Sequence, residues 1–257
     1  MKKTFIILLT LLTACQFGDK KNNSNNLSCD NYKQKILTTL ALIDSIRSND
    51  KLIKNEIDPR DSLNDAIYKI LQELVPNDKY ADCNFNTPYS LGYVISSDKK
   101  LCLISWNTTQ GGTMTDYTTV AIYKADSGVK IKTLHYEDDE NSKEYFDTLL
   151  TVTKSNGDKV YIAYGHGKES SWMPVKILQA FQIKNDLEFD SIPIFPDGES
   201  GLGLEYDITK FSETDSIANI IFIDGGRQLK IPDLNDSNVF VGKYYTLTFD
   251  GDKYIRR

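Results

Sequence analysis

Apolar residues recur at helical spacing in the first part of the chain. The first stripe consists of Tyr32, Ile36, Leu40, Ile43 and Ile46, and the second of Leu63, Ile67, Ile70, Leu71 and Leu74. Spacings of three and four residues predict two α-helices. Asp58 can cap the second helix, Pro59 suits its first position, and Pro76 follows its end. We therefore predict a helical hairpin over residues 28–84.

From residue 85 to residue 257 the pattern changes to short runs rich in β-branched and aromatic residues, separated by Gly, Asp and Asn. It predicts about twelve antiparallel strands in three four-stranded meanders. These are Tyr89–Ser96, Lys99–Trp106, Tyr117–Lys124 and Val129–Tyr136; Phe146–Lys154, Lys159–Gly165, Val175–Lys184 and Leu187–Phe195; and Leu202–Lys210, Ala218–Asp224, Lys243–Phe249 and Lys253–Arg256.

Meanders in series resemble the blades of a β-propeller. Propellers close with about four to eight blades, however, and this chain supplies three units. The predicted fold class is therefore mainly β with an α+β character. The helical hairpin precedes a β-domain that is either propeller-like or a sandwich.

The N-terminus carries a basic start at Lys2 and Lys3, an apolar run from Phe5 to Leu12, and the ending Leu-Thr-Ala-Cys at 12–15. The apolar run is too short to cross a bilayer. This arrangement resembles the lipobox of bacterial lipoproteins. The resemblance implies that residues 1–14 are a signal peptide and that Cys15 is acylated. The alternative is an ordinary secretory signal that happens to contain a cysteine.

Residues 15–27 contain little apolar material and read as a flexible tether behind the lipidated cysteine. Gln16 follows Cys15. In the enterobacterial sorting scheme an aspartate at that position favours retention in the inner membrane, so the resemblance implies the outer membrane of a bacterial cell envelope. The sequence leaves open which side of that membrane the protein faces.

The chain has 36 acidic and 30 basic residues, a net charge of −6. Cleavage of the predicted leader would remove Lys2 and Lys3 and change the net charge to −8. A negative surface repels nucleic acid, which is therefore excluded as a partner. It also repels anionic lipid head groups, so we expect the membrane to be the partner through the acyl chains on Cys15. Among the cysteines, Cys102 lies in an apolar strand. Cys29 and Cys83 flank the helical hairpin and are the candidates for a disulfide.

No local motif points to catalysis. The two histidines, His135 and His166, lie in different units and show no metal-ligand spacing. We therefore expect no metal and no cofactor, and the sequence leaves open whether the protein is an enzyme, with the balance against it. The alternative to a binding module is a glycan-active hydrolase of the envelope that uses Asp and Glu carboxylates, which would meet only in the fold.

The second-to-third connection is long in every predicted unit, and both tryptophans of the chain lie in these connections. Loops longer than turning requires often serve recognition. The candidate ligand-binding residues are Trp106, Gln110, Asp116, His166, Glu169, Trp172 and Arg227. Aromatic faces beside amide and charged groups suit a glycan or a peptide. Alternatively, the tryptophans plug the ends of the sheet. The favoured function is a lipid-anchored binding or interaction module of the cell envelope.

Overall fold

The structure is a computed structural model, and it describes residues 28–47, 58–75, 79–85, 87, 91–110, 115–134, 144–184 and 188–257. Cys15, the predicted signal peptide and His135 lie outside these residues. None of the helices in the described ranges is long and apolar enough to cross a membrane.

Two α-helices come first, α1 (Cys29–Arg47) and α2 (Pro59–Gln72). Asp58 caps α2, because its carboxylate accepts a hydrogen bond from the backbone N–H of Arg60 at 2.9 Å. Apart from Ile46, both apolar stripes pack in one core with the first sheet; the fully buried members include Ile36, Ile43, Ile67 and Leu71. The two predicted helices are thus confirmed.

A disulfide joins Cys29 to Cys83, the pair that the sequence favours, with the Cα atoms 5.2 Å apart. It ties the start of α1 to the segment that leads into the first strand. Cys102 is a free thiol in the core between the helices and the first sheet, and burial raises its pKa strongly.

Thirteen strands lie in the described part of the chain. They are β1 (Leu91–Ile95), β2 (Leu101–Asn107), β3 (Tyr117–Ala125), β4 (Gly128–Thr133), β5 (Tyr145–Thr153), β6 (Lys159–Ser170), β7 (Met173–Lys184), β8 (Glu188–Ser191), β9 (Gly201–Glu205), β10 (Ile221–Ile223), β11 (Gln228–Leu234), β12 (Phe240–Phe249) and β13 (Tyr254–Arg256).

All strand pairings are antiparallel and form three separate sheets. Sheet 1 has the order β1-β2-β3-β4, and sheet 3 has the order β10-β11-β12-β13. Sheet 2 has the order β5-β6-β7-β8, with β9 added on β7. The predicted class, mainly β with two N-terminal helices and serial meanders, is confirmed.

The layers stack in chain order. Successive residues of a strand face opposite sides of its sheet, so a sheet can pack against a different layer on each face. In β2, Cys102 and Ile104 face the helices, whereas Leu101 and Leu103 pack in a second core against sheet 2. In β6, Tyr161 and Ala163 face sheet 1, and Val160 and Ile162 pack in a third core with sheet 3. The order is helices, sheet 1, sheet 2 and sheet 3. Being covered on both faces explains why β2 is apolar almost throughout.

The predicted composition of the third meander is wrong. The segment from Leu202 onward does not open sheet 3, because β9 pairs with β7 in sheet 2. Sheet 3 instead contains β11, which the sequence analysis left in a connection. Pro232 lies inside β11, next to a shift in its register with β12, and proline is unusual within a strand because it cannot donate to the ladder.

The prediction of three long second-to-third connections is also wrong. In the second unit, β6 and β7 continue past the predicted ends until Ser170 pairs with Met173, which leaves a two-residue turn. His166 is therefore a strand residue. In the third unit, Gly225 and Gly226 form a short turn between β10 and β11.

Candidate functional site

Trp106 is a structural residue. Its side chain is 1% exposed in the core beneath the helices, and its indole Nε1 donates a hydrogen bond to Asn64 Oδ1 at 2.8 Å. Asn64 belongs to α2, so this bond fastens the helix to sheet 1. A ligand cannot reach an indole so placed. Trp106 therefore has a structural role, as the alternative held, but in the core under the helices.

Gln110 and Asp116 are used by the fold as well. The Gln110 amide donates to the Asp61 carboxylate at the start of α2. Asp116 is buried, and its backbone carbonyl accepts a hydrogen bond from Thr108 N at 2.8 Å. The first part of the connection between β2 and β3 is thus held against the helical layer.

His166 lies in a cluster of rings at the edge between sheets 1 and 2. Its ring centroid is 5.0 Å from that of Tyr145 and 5.7 Å from that of Tyr117, and the two tyrosine rings are 5.5 Å apart. All three side chains are partly exposed. We call these three residues the aromatic patch. It brings together the start of β3, the start of β5 and the middle of β6, which are far apart in the sequence.

Hydrogen bonds between the two sheets place Tyr145. On one side of it, Thr119 Oγ1 donates to the carbonyl of Glu144 at 2.6 Å. On the other side, Phe146 N donates to Ser105 Oγ at 3.1 Å, and this serine is bonded to Thr119 at 2.8 Å. Ser105 and Thr119 are both buried. These two polar side chains of sheet 1 therefore fix the backbone on each side of the central ring of the patch.

Two glycines make room for Tyr145. A Cβ on Gly92 of β1 would lie 2.7 Å from Cζ of the Tyr145 ring, and a Cβ on Gly165 would lie 2.0 Å from the Tyr145 carbonyl oxygen. At Gly165 the conflict would be with backbone atoms, so glycine is required there for the close approach of the two strands. At Gly92 the conflict would be with the end of the Tyr145 ring, so glycine leaves room for that ring.

The patch has polar groups at its border. The carboxylate Oδ2 of Asp147 lies 3.7 Å from His166 Nδ1, and Lys176 pairs with His166 across the neighbouring strand. Burial, then the charge of Asp147, raises the pKa of the Tyr145 hydroxyl, and the same two causes raise that of Tyr164 to about 12. A tyrosine hydroxyl is protonated at neutral pH even without such a shift, and the Tyr164 hydroxyl donates to Asn219 Oδ1 at 3.2 Å.

The described contacts at the patch do not form a nucleophile–base pair or a carboxylate pair. The described contacts of His166 are with Asp147, Tyr117 and Tyr145, none of which is a serine or cysteine nucleophile. Asp147 has no second carboxylate among these contacts, so the hydrolase alternative gains no support at the patch. No group of three or more His, Cys, Asp or Glu residues in the described ranges could hold a metal ion.

Trp172 occupies the turn between β6 and β7 and is 61% exposed. Its backbone is fixed, because Trp172 N donates to Ser170 Oγ at 3.2 Å and its carbonyl accepts from Ile208 N at 3.1 Å. It lies beyond the patch by roughly 13 Å of strand, the rise of the four residues from His166 to Ser170. Glu169 is in the same stretch of β6.

Arg227 does not belong to this surface. The neighbouring Gly226 packs against Leu150, which pairs with Ile162 in β6. Ile162 precedes His166 by four residues, whereas Trp172 follows it, so Arg227 lies in the opposite direction along the strands. Its guanidinium is 3.9 Å from Asp224 and stands over the Phe249 ring.

Sequence reasoning missed Tyr117, Tyr145 and Asp147. The two tyrosines share one available signal, since each is the first residue of a strand. Which strand ends meet is decided by the packing of sheet 1 on sheet 2, and that information is not local.

Comparison with known proteins identifies no relative, since no family model, no curated protein and no solved structure matches the chain. The assignment of function consequently rests on the residues and geometry described above.

Proposed function

We propose that this protein is a lipid-anchored binding module of a bacterial cell envelope. The basic and apolar leader and the Leu-Thr-Ala-Cys ending at 12–15 support export and acylation of Cys15. The Cys29–Cys83 disulfide supports the same compartment, because such bonds persist outside the reducing cytoplasm. More than one acyl chain on Cys15 makes the attachment stable.

The aromatic patch is the observation that carries the binding role. Its three partly exposed rings lie on a fixed backbone, since hydrogen bonds from Thr119 and to Ser105 hold the residues on either side of Tyr145. Gly92 and Gly165 leave room for this tyrosine. Ring faces with protonated hydroxyls suit the apolar faces and polar edges of a glycan or a peptide. A rigid aromatic surface also binds at a low entropic cost, because little side-chain freedom is lost.

The supporting experiment measures binding of the mature chain to a glycan array and to a peptide array. Tyr145→Ala should weaken binding to the array ligand by about tenfold or more, as expected for a central aromatic contact. Tyr244→Ala is the matched control, since Tyr244 is an exposed tyrosine of sheet 3 with its own ring neighbour, Phe240. It should leave binding unchanged.

A second variant separates loss of binding from loss of folding. Gly92→Ala adds one methyl group whose position conflicts with the end of the Tyr145 ring, while the tyrosine itself is kept. We expect it to displace the ring and weaken binding with little change in the melting temperature. Absence of any ligand on both arrays, or full binding by Tyr145→Ala, would refute the proposal.

A further inference from the structure

A cleft of about 230 Å³ opens between sheets 1 and 2 at the end where the hairpin turns are short. Tyr161 lies at this cleft, five residues before His166 on β6, so the cleft and the aromatic patch are separated by roughly 16 Å of strand. Sheet 1 and its turns contribute Lys100, Lys124 and Asp126, and sheet 2 and its turns contribute Asp158, Lys159 and Gln182.

The charge of this cleft differs from that of the protein. Three lysines and two aspartates are among its lining residues, in a chain with a net charge of −6. One of the carboxylates already has donors, because Asp158 accepts hydrogen bonds from Asn156 at 2.9 Å and from Gln182 at 3.2 Å. By residue, the lining holds one more lysine than aspartate.

The lysines keep donors for a ligand. Lys159 Nζ donates one hydrogen bond, to Thr153 Oγ1 at 2.8 Å, and an ammonium group has three N–H donors. Lys100 and Lys159 border the cleft from the sides of the two sheets, and in the described ranges no salt bridge uses either of them.

Tyr161 is one of the residues that line the cleft. The residue is almost fully buried, and its hydroxyl donates to Asp98 Oδ2 at 3.1 Å. Packing around the ring and this hydrogen bond at its end hold the side chain in place. The volume is below the roughly 300–1,000 Å³ of a site for a drug-sized molecule. It suits one compact charged group.

We propose that this cleft binds a phosphate or sulfate oxyanion, either as the free ion or as the ester group of a small sugar. Lysine acts as a point charge for such oxyanions, and a pair of lysines from two sheets matches a tetrahedral group with several acceptor oxygens. The site is separate from the aromatic patch and does not depend on the proposed function.

The test is calorimetric titration of the mature chain at low salt with inorganic phosphate, inorganic sulfate, glucose 6-phosphate and glucose. The oxyanions should bind and glucose should not. The double variant Lys100→Gln/Lys159→Gln should weaken binding by about tenfold or more, because hydrogen bonds to charged groups contribute strongly. Added salt should weaken binding as well, since the lysines are exposed.

Lys230→Gln/Lys243→Gln is the matched control. It removes the same charge from two exposed lysines of sheet 3 and should leave the affinity unchanged. Tighter binding of glucose 6-phosphate than of phosphate would assign the site to an ester, and equal binding would assign it to the free ion. The proposal is overturned if no oxyanion binds at about 10 mM, a range that includes weak ionic contacts. It is equally overturned if glucose binds alone or if both double variants behave alike.

Discussion

Replacement by alanine should strongly destabilise the fold at Trp106 and leave its stability nearly unchanged at Trp172. Trp106 is buried under the helices and donates to Asn64, whereas the Trp172 side chain is 61% exposed at a turn. Removing a buried Trp side chain costs about 3–5 kcal/mol of unfolding free energy. The Asn64 carbonyl oxygen also loses its indole donor in Trp106→Ala, which adds about 1–3 kcal/mol if no water replaces it.

These magnitudes are large against the stability of an ordinary domain, which is about 5–15 kcal/mol. For a chain of this size, each kcal/mol lowers the melting temperature by about 2–4 °C, so a 4 kcal/mol loss in Trp106→Ala corresponds to roughly 8–16 °C. Trp172→Ala should change the unfolding free energy by no more than about 0.5 kcal/mol, as is usual for surface residues.

The assay is urea unfolding followed by far-ultraviolet circular dichroism, because each variant removes one of the two fluorophores. Trp106→Phe is an informative third variant: it keeps most of the buried ring but loses the indole donor, and should fall between the wild type and Trp106→Ala. The reasoning is refuted if Trp106→Ala costs less than about 1 kcal/mol, or if Trp172→Ala costs more than about 2 kcal/mol.

Three further predictions concern the parts that hold the fold together. Cys29→Ser/Cys83→Ser should lower the unfolding free energy by about 2–4 kcal/mol because the bond spans 54 residues, and reductant should destabilise the wild type but not this variant in urea unfolding. Asp58→Ala should cost about 0.5–2 kcal/mol at pH 7. Because the side-chain hydrogen bond from Arg60 lowers the pKa of Asp58, the advantage of the wild type should persist above pH 4 and disappear as the pH falls through the lowered pKa, as unfolding at several pH values would show. Gly165→Ala should disrupt the start of β5, whereas Gly203→Ala, whose Cβ meets nothing within 4 Å, should be nearly neutral in thermal unfolding; equal melting temperatures would contradict this account.

The local parts of the fold could be predicted because their causes are local. The cap at Asp58 with Pro59 marks the start of α2, and the apolar run in β2 marks a strand buried on both faces. β11 was missed because Pro232 interrupts its run of strand-forming residues. The segment is nevertheless a strand, since it pairs with β12. The strand β9 was placed in the wrong sheet because the alternation of apolar and polar residues indicates that a segment is a strand, but not which strand it pairs with.

The candidate site was predicted only in part, and for the same reason. Trp106 and Trp172 stand in comparable places in the sequence, yet packing by the helices buries the first and leaves the second at a turn. His166 was a candidate from the sequence, but it was placed in a long connection, and its ring neighbours Tyr117 and Tyr145 come from other strands. Their proximity results from the bonds of Ser105 and Thr119 across two sheets, which no periodicity encodes.

The binding role of the aromatic patch is tested most directly by mapping amide chemical shifts of the ¹⁵N-labelled mature chain during titration with the strongest array ligand. The shifts should concentrate at Tyr117, Tyr145, Asp147 and His166 and should be lost in Gly92→Ala. Shifts confined to sheet 3 or to the helical layer, with the patch unmoved, would contradict it.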